Sequence, residues 1–179
     1  MEMRFVQKSD APRLLVIYAP YVIDSSVSFE LELPSVTEFE NRIGEYSAQF
    51  PWLVMEEEGV IIGYAYASTH RARRAYQWSV ECSVYIDPEH HGRKIGRTLY
   101  EELFRVLKLQ GVMTVLAGIT QPNEASVKFH EALGFEFLGF YRDIGFKLGK
   151  WLDTGWWQLH LYPAGRKPVP PPMPLRPYR

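Results

Sequence analysis

The run Trp78-Ser79-Val80-Glu81-Cys82-Ser83-Val84-Tyr85-Ile86-Asp87, followed by Pro88-Glu89-His90-His91-Gly92-Arg93-Lys94-Ile95-Gly96, decides how the rest of the chain is read. Its first part alternates. Trp78, Val80, Cys82, Val84 and Ile86 share one face of an extended strand, and Ser79, Glu81, Ser83, Tyr85 and Asp87 share the other. Pro88 ends the strand, and a basic turn containing glycine then leads into a helix. Exposed backbone N–H groups and the helix dipole make such a turn a ready anion site. As a glycine loop it is generic, with neither a GK[ST] ending nor a GxGxxG pattern. The polar row Glu81, Ser83, Tyr85 is met either by solvent or, if the strand is central, by a ligand.

Outward from this strand the periodicities are clear. The helix spans Gly96 to Gln110 and is closed by Gly111, and Val112 to Ile119 reads as a buried strand. Asn123 to Leu133 is helical with Gly134 as its stop, and Phe135 to Phe146 and Trp151 to Tyr162 are strands. On the N-terminal side, Met3 to Val6 forms a short strand. Ser9 or Asp10 caps a helix bearing Leu14, Leu15, Ile17 and Tyr18. Asp24 to Pro34 is irregular, with Phe29 a large apolar residue in a polar stretch. Ser35-Val36-Thr37-Glu38 has the form of a capping box and starts a helix that runs to about Gln49. Trp52 to Glu57 and Val60 to Thr69 are strands joined at Glu58-Gly59. The order βααβββαβαββ predicts an α/β (α+β) fold, a mixed central sheet of about seven strands flanked by helices. The expected domain is 1–162, followed by an extended proline-rich tail, 163–179.

Composition narrows the function. The 179 residues suit one full core. A net charge of −1 provides no field for holding nucleic acid. The lone Cys82 allows no internal disulfide, no run is apolar enough to span a bilayer, and the N-terminus does not read as a signal peptide. The expectation is a soluble cytoplasmic protein without nucleic-acid or membrane partners. The 11 Tyr, 10 Phe and 5 Trp suit both a core and a ligand pocket.

Val84-Tyr85-Ile86 through Gly96-Arg97-Thr98-Leu99 resembles the acetyl-CoA motif of GNAT acetyltransferases, [QR]-x-x-G-x-[GA]. Asn123-Glu124-Ala125-Ser126-Val127-Lys128-Phe129-His130-Glu131-Ala132-Leu133-Gly134-Phe135 is similar to that superfamily's later helix. The resemblance implies the GNAT fold, with acetyl-CoA as co-substrate and no metal. It implies that Val84, Tyr85 and Ile86 meet the pantetheine arm, that Gly92, Arg93, Lys94, Ile95, Gly96 and Arg97 meet the pyrophosphate, and that Asn123 contacts CoA. His91 stands where Gln or Arg is usual and Lys94 where Gly is usual, so the Lys94 Cβ is expected to strain the turn.

Within the superfamily, the chain resembles the phosphinothricin and methionine sulfoximine acetyltransferases over nearly its whole length. The likeness is carried by Pro51-Trp52-Leu53-Val54, Gly63-Tyr64-Ala65-Tyr66-Ala67, Ala75-Tyr76-Gln77-Trp78-Ser79-Val80-Glu81, His130-Glu131-Ala132-Leu133-Gly134 and Phe146-Lys147 with Gly149-Lys150-Trp151-Leu152-Asp153. This resemblance implies Glu81 and His130 as the basic apparatus, His130 replacing the tyrosine of many other GNAT enzymes. It also implies Phe29, Arg71, Arg73, Tyr76, Ser83 and Tyr85 at the acceptor. Resistance to such compounds and a homodimeric assembly are further implications.

The chemistry wants these groups. An α-ammonium must lose a proton before it can attack a thioester, and a buried glutamate can accept that proton directly or through water. Arginine forks suit an anionic small-molecule acceptor. Plainer readings stand beside these. Glu81 could pair with a neighbouring arginine, His130 could be a hydrogen-bonded core histidine, and the loop arginines could be solvated surface. Cys82 points away from Glu81 and reads as a small core residue. An acetyltransferase for another small amine, such as a polyamine, and a non-catalytic acyl-CoA-binding module remain alternatives.

Overall fold

The computed structural model describes residues 1–163 and 165–167, so nearly all of the expected proline-rich tail lies outside the described residues. The elements are β1 (Glu2–Phe5), α1 (Ala11–Ile23), α2 (Val36–Ser47), β2 (Trp52–Glu57), β3 (Val60–Thr69), β4 (Ser79–Ile86), α3 (Ile95–Gln110), β5 (Thr114–Thr120), α4 (Glu124–Glu131), β6 (Glu136–Lys147) and β7 (Lys150–His160). They form one seven-stranded sheet in the order β1-β2-β3-β4-β5-β7-β6. Every pairing is antiparallel except β4–β5, which is parallel.

Alternation along the strands sends two sets of side chains to two cores. On one face, Leu53, Met55, Ala65, Ala67, Val80 and Cys82 pack with Leu99, Tyr100, Leu103 and Leu107 of α3. On the other, Trp52, Val54 and Tyr64 pack with Leu14, Ile17, Tyr18, Phe39 and Ile43 of α1 and α2. Cys82 is 8% exposed, and burial pushes its thiol up to about 12, so it is an inert core residue.

The capping box forms as read. Ser35 Oγ accepts from the Glu38 N–H at 3.3 Å, while the Ser35 N–H donates to Glu38 at 2.8 Å. The α1 cap differs from expectation, because neither Ser9 nor Asp10 caps the helix with its side chain. Asp10 instead accepts two hydrogen bonds from Arg4, at 2.8 and 2.9 Å, and one from the Gln7 N–H. A charge-assisted fork across the β1–α1 connection outcompetes a local cap.

The feature that positions chemistry is where β4 and β5 part. Their register runs only through Ser79↔Thr114, Val80↔Val115 and Glu81↔Leu116, although β4 continues to Ile86 and β5 to Thr120. On its other edge β4 stays paired with β3 from Val80 to Ile86. The Asp87 N–H donates to Ile62 O, so by alternation the odd-numbered residues of β4 bond to β3. The Cys82 carbonyl, the backbone groups of Val84 and the Ile86 N–H therefore face the β4–β5 gap, while the Ile86 carbonyl accepts from the Tyr21 hydroxyl at 2.6 Å. Tyr85 was expected to meet a ligand through its backbone, but it spends those groups on β3.

Candidate active site

Glu81 lies where the gap opens, on the face opposite α3. Its Oε1 is 2.8 Å from Nδ1 of His70, which follows β3. No loop arginine takes the place expected of an ion-pair partner, because Ser68 sits opposite Glu81 and His70 is the diagonal neighbour on the same face. The His70 ring meets Tyr76 and Trp156 edge-on, each with centroids 5.9 Å apart. Beside this pair is a cavity of about 240 Å³ lined by His70, Arg71, Leu116, Phe140, Tyr141 and Trp156. Alternation made Glu81 visible in the sequence, whereas His70, Tyr141 and Trp156 were missed. The β3–β4 register is the signal that could have found His70.

The other acceptor candidates divide. Arg71 lines this cavity and lies over the Tyr76 ring at 5.6 Å. Arg73 does not line it; with Arg74, Gln49 and Gln77 it borders a separate cavity of about 330 Å³, which Arg71 also lines. Ser83 hydrogen-bonds Tyr66. The Tyr85 ring packs edge-on to Tyr18 and Tyr21 at 4.8 and 5.1 Å, and burial raises its hydroxyl pKa. Phe29 lies against Gly145 of β6, where an added Cβ would come within 2.4 Å of its ring. Gly145→Ala should therefore displace Phe29 and raise the acceptor KM several-fold, leaving the acetyl-CoA KM unchanged in steady-state assays.

The segment holding Phe29 is pinned by a residue given no role from sequence. Lys147 is 5% exposed, and its Nζ donates to Val22 O and Ser28 O at 2.6 Å each. Tyr18 and Ser28 share a 2.6 Å hydroxyl bond, and Arg42 pairs with Glu30 at 2.7 Å. Burial lowers the Lys147 pKa.

After β4, Pro88–His90 makes one 3-10 turn and α3 begins at Ile95. Gly92 has φ +78° and Lys94 φ +61°, so the turn adopts the left-handed conformation at both positions. This is the strain expected for Lys94. Lys94→Gly should raise stability by about 0.5–1 kcal/mol, moving the melting midpoint up by about 2 °C. His91 Nε2 lies 2.9 Å from the Tyr21 hydroxyl and 3.2 Å from Ile86 O, so it straps the turn to β4 and α1. The Arg93 fork is occupied by Glu57 at 2.6 and 2.8 Å, and Arg97 Nε is held by Glu101 at 2.8 Å. Lys94 has no carboxylate partner among the described residues. Gly96 brings the helix start close to Val84 and Phe129, which an added Cβ would meet at 3.7 and 3.4 Å. Backbone donors at a helix N-terminus and the unpaired Lys94 suit a pyrophosphate, and the strand edge facing the gap suits an extended amide arm. A further hollow of about 530 Å³ lies between β1 and α3, beside Glu101 and Glu102.

Asn123 caps α4, its Oδ1 accepting from the Ser126 N–H at 3.1 Å. His130, 5% exposed, packs among Tyr100, Phe129 and Phe135 on the α3 side, so it and Glu81 lie on opposite faces of the sheet. Its Nδ1 donates to Ser126 O at 2.8 Å, leaving Nε2 as the acceptor facing the Tyr100 hydroxyl at 3.4 Å. Burial lowers its pKa below 6.5. The unfolded chain then binds more protons below 6.5, so this contribution to stability is complete above that pH and lost as pH falls. Replacing His130 with glutamine should flatten the acid limb of a melting-temperature profile below pH 6.5.

Comparison with known proteins identifies the family. The acetyltransferase (GNAT) domain model matches residues 3–156. The chain belongs to the GNAT family of acetyltransferases and is an N-acetyltransferase using acetyl-CoA. It is 38% identical over 172 residues to the phosphinothricin N-acetyltransferase of Streptomyces viridochromogenes, covering 96% of this chain and 94% of that one. It is 33% identical to the L-methionine sulfoximine/L-methionine sulfone acetyltransferase of Salmonella typhimurium, covering 90% and 95%. The crystal structure of a GNAT superfamily phosphinothricin acetyltransferase from Sinorhizobium meliloti in complex with AcCoA superposes with a TM-score of 0.89. The two are 35% identical over 94% of this chain and 93% of that one. No helix among the described residues is long and apolar enough to cross a membrane.

Proposed function

We propose that this N-acetyltransferase acetylates the α-amino group of a small amino-acid-like acceptor of the phosphinothricin, methionine sulfoximine or methionine sulfone type. The observation that carries the reading is Glu81, held at the mouth of the β4–β5 gap by His70, which lines a cavity together with Arg71. Relatives with these activities, similar over most of the chain, support it.

Acetyl-CoA supplies the acetyl thioester. Glu81 takes one proton from the acceptor ammonium, and the freed amine nitrogen bonds to the thioester carbonyl carbon as the C–S bond breaks. A second proton passes from nitrogen to the leaving thiolate, and the proton on Glu81 returns to solvent. The Val84 N–H faces the gap and donates to the carbonyl oxygen as charge develops there. Arg71 holds the acceptor's anionic group. The turn from Gly92 to Arg97 holds the pyrophosphate through its backbone and Lys94, and Asn123 lies at the CoA side of α4. His130 does not touch Glu81; it packs on the other face of the sheet with its Nε2 toward the Tyr100 hydroxyl. Phe137, Phe140, Ile144 and Trp151 are exposed on the β6–β7 hairpin at the sheet edge, which supports a homodimer built on that hairpin.

The test is CoA release from acetyl-CoA, followed with a thiol reagent against phosphinothricin, methionine sulfoximine, methionine sulfone, common amino acids and spermidine. Turnover on the first three is expected. Turnover on spermidine alone would overturn the acceptor assignment.

A further inference from the structure

Resting on that reading of Glu81, we propose that His70 is a positioning residue for the base. Nδ1 of His70 holds Glu81 Oε1, fixing the carboxylate in one rotamer with Oε2 left for the acceptor nitrogen. The His70 side chain is 15% exposed and that of Glu81 35%, so the bond forms at the cavity wall rather than in open solvent, where such a pair would contribute little. The imidazole cannot swing freely, because Tyr76 stands against it at an interplanar angle of 81° and Trp156 at 71°. Arg71 lies over Tyr76 in turn, so the group that faces the acceptor and the group that steadies the base share one support. The charged and titratable groups around His70 are Glu81 from β4, Arg71 and Tyr76 from the following loop, and Tyr141 from β6.

The location of His70 suits this task. It follows the last residue of β3, and its backbone placement is set by the β3–β4 register, which is continuous from Gly63↔Ile86 to Thr69↔Val80. Glu81 closes the last registered pair before the strands separate, where its own edge of the sheet loses support. A side chain anchored on the well-paired side therefore steadies the base at the place where the sheet ceases to. A carboxylate misplaced by about 1 Å loses about 10²-fold in rate.

The experiment is steady-state kinetics with acetyl-CoA and methionine sulfone on His70→Ala, His70→Asn, Glu81→Gln and the double variant His70→Ala/Glu81→Gln, each checked by thermal melting. His70→Ala should lower kcat by about 10–100-fold with the KM of acetyl-CoA unchanged. His70→Asn, whose amide can stand in for Nδ1–H, should recover kcat to within a few-fold of the parent. On the Glu81→Gln background, His70→Ala should add no further loss, because its effect passes through Glu81. Equal losses on both backgrounds, or an asparagine variant no better than alanine, would overturn the inference while leaving Glu81 as base. A parent enzyme inert toward methionine sulfone, or full turnover in Glu81→Gln alone, would overturn the reading of the site and the inference with it.

Discussion

Glu81→Gln should lower kcat by about 10²–10⁴-fold, the range expected when a general base is removed, with the acetyl-CoA KM and the melting temperature nearly unchanged. Glutamine is isosteric and can still accept from His70 through its amide oxygen, so packing at the wall is kept while basicity is lost. The partly exposed position of Glu81 makes a large stability effect unnecessary. Glu81→Asp separates reach from charge. It withdraws the carboxylate by about 1.5 Å, which breaks the 2.8 Å contact with His70, and a loss of at least tenfold in kcat should follow. Wild-type kcat in both variants would remove Glu81 from the chemistry.

Lys147→Met should be the most destabilising single change outside the two cores. The ammonium donates to two carbonyls far from it in sequence, Val22 in the last turn of α1 and Ser28 in the following segment. Methionine fills the space without a donor and leaves both oxygens without this partner, at about 2–4 kcal/mol and a fall in the melting midpoint of about 6–12 °C. A cation beside the C-terminal carbonyls of α1 is favoured by the helix dipole as well. Because Ser28 adjoins Phe29, the same variant should raise the KM for methionine sulfone at a temperature where it remains folded. An unshifted melt would show that the lysine only fills space. Denaturation followed by circular dichroism and acceptor kinetics on the same sample would read both effects.

Much of this molecule was legible because its signals are short-range. The alternation from Ser79 to Ile86 placed Glu81 and Cys82 on opposite faces, and the cores divide as that pattern requires. Ser35 and Glu38 announced α2, and Gly111 closes α3 at φ +91°. The left-handed Lys94, at φ +61°, stands where the resembling motif carries glycine. The acceptor residues were less legible. Arg71 and Arg73 are two positions apart in the loop, yet only Arg71 lines the cavity beside Glu81, because a one-turn helix at Arg74–Tyr76 redirects the chain. Arg93 reads as a free cation until β2 brings Glu57 to it. Glu81 and His130 read as one apparatus, but the sheet stands between them.

Resemblance to known motifs pointed to the family; the sequence by itself determined the order of elements and the faces of each strand. Those depend on periodicity, capping and steric rules that act within a few residues. Only the tertiary structure decided that β4 and β5 part after Glu81, that His70 is the partner of that carboxylate, and that Lys147 reaches back across 119 residues to Ser28 in the segment bearing Phe29. These contacts exist where strand registers and buried donors must be satisfied in three dimensions, and no local pattern encodes which distant atom will satisfy them.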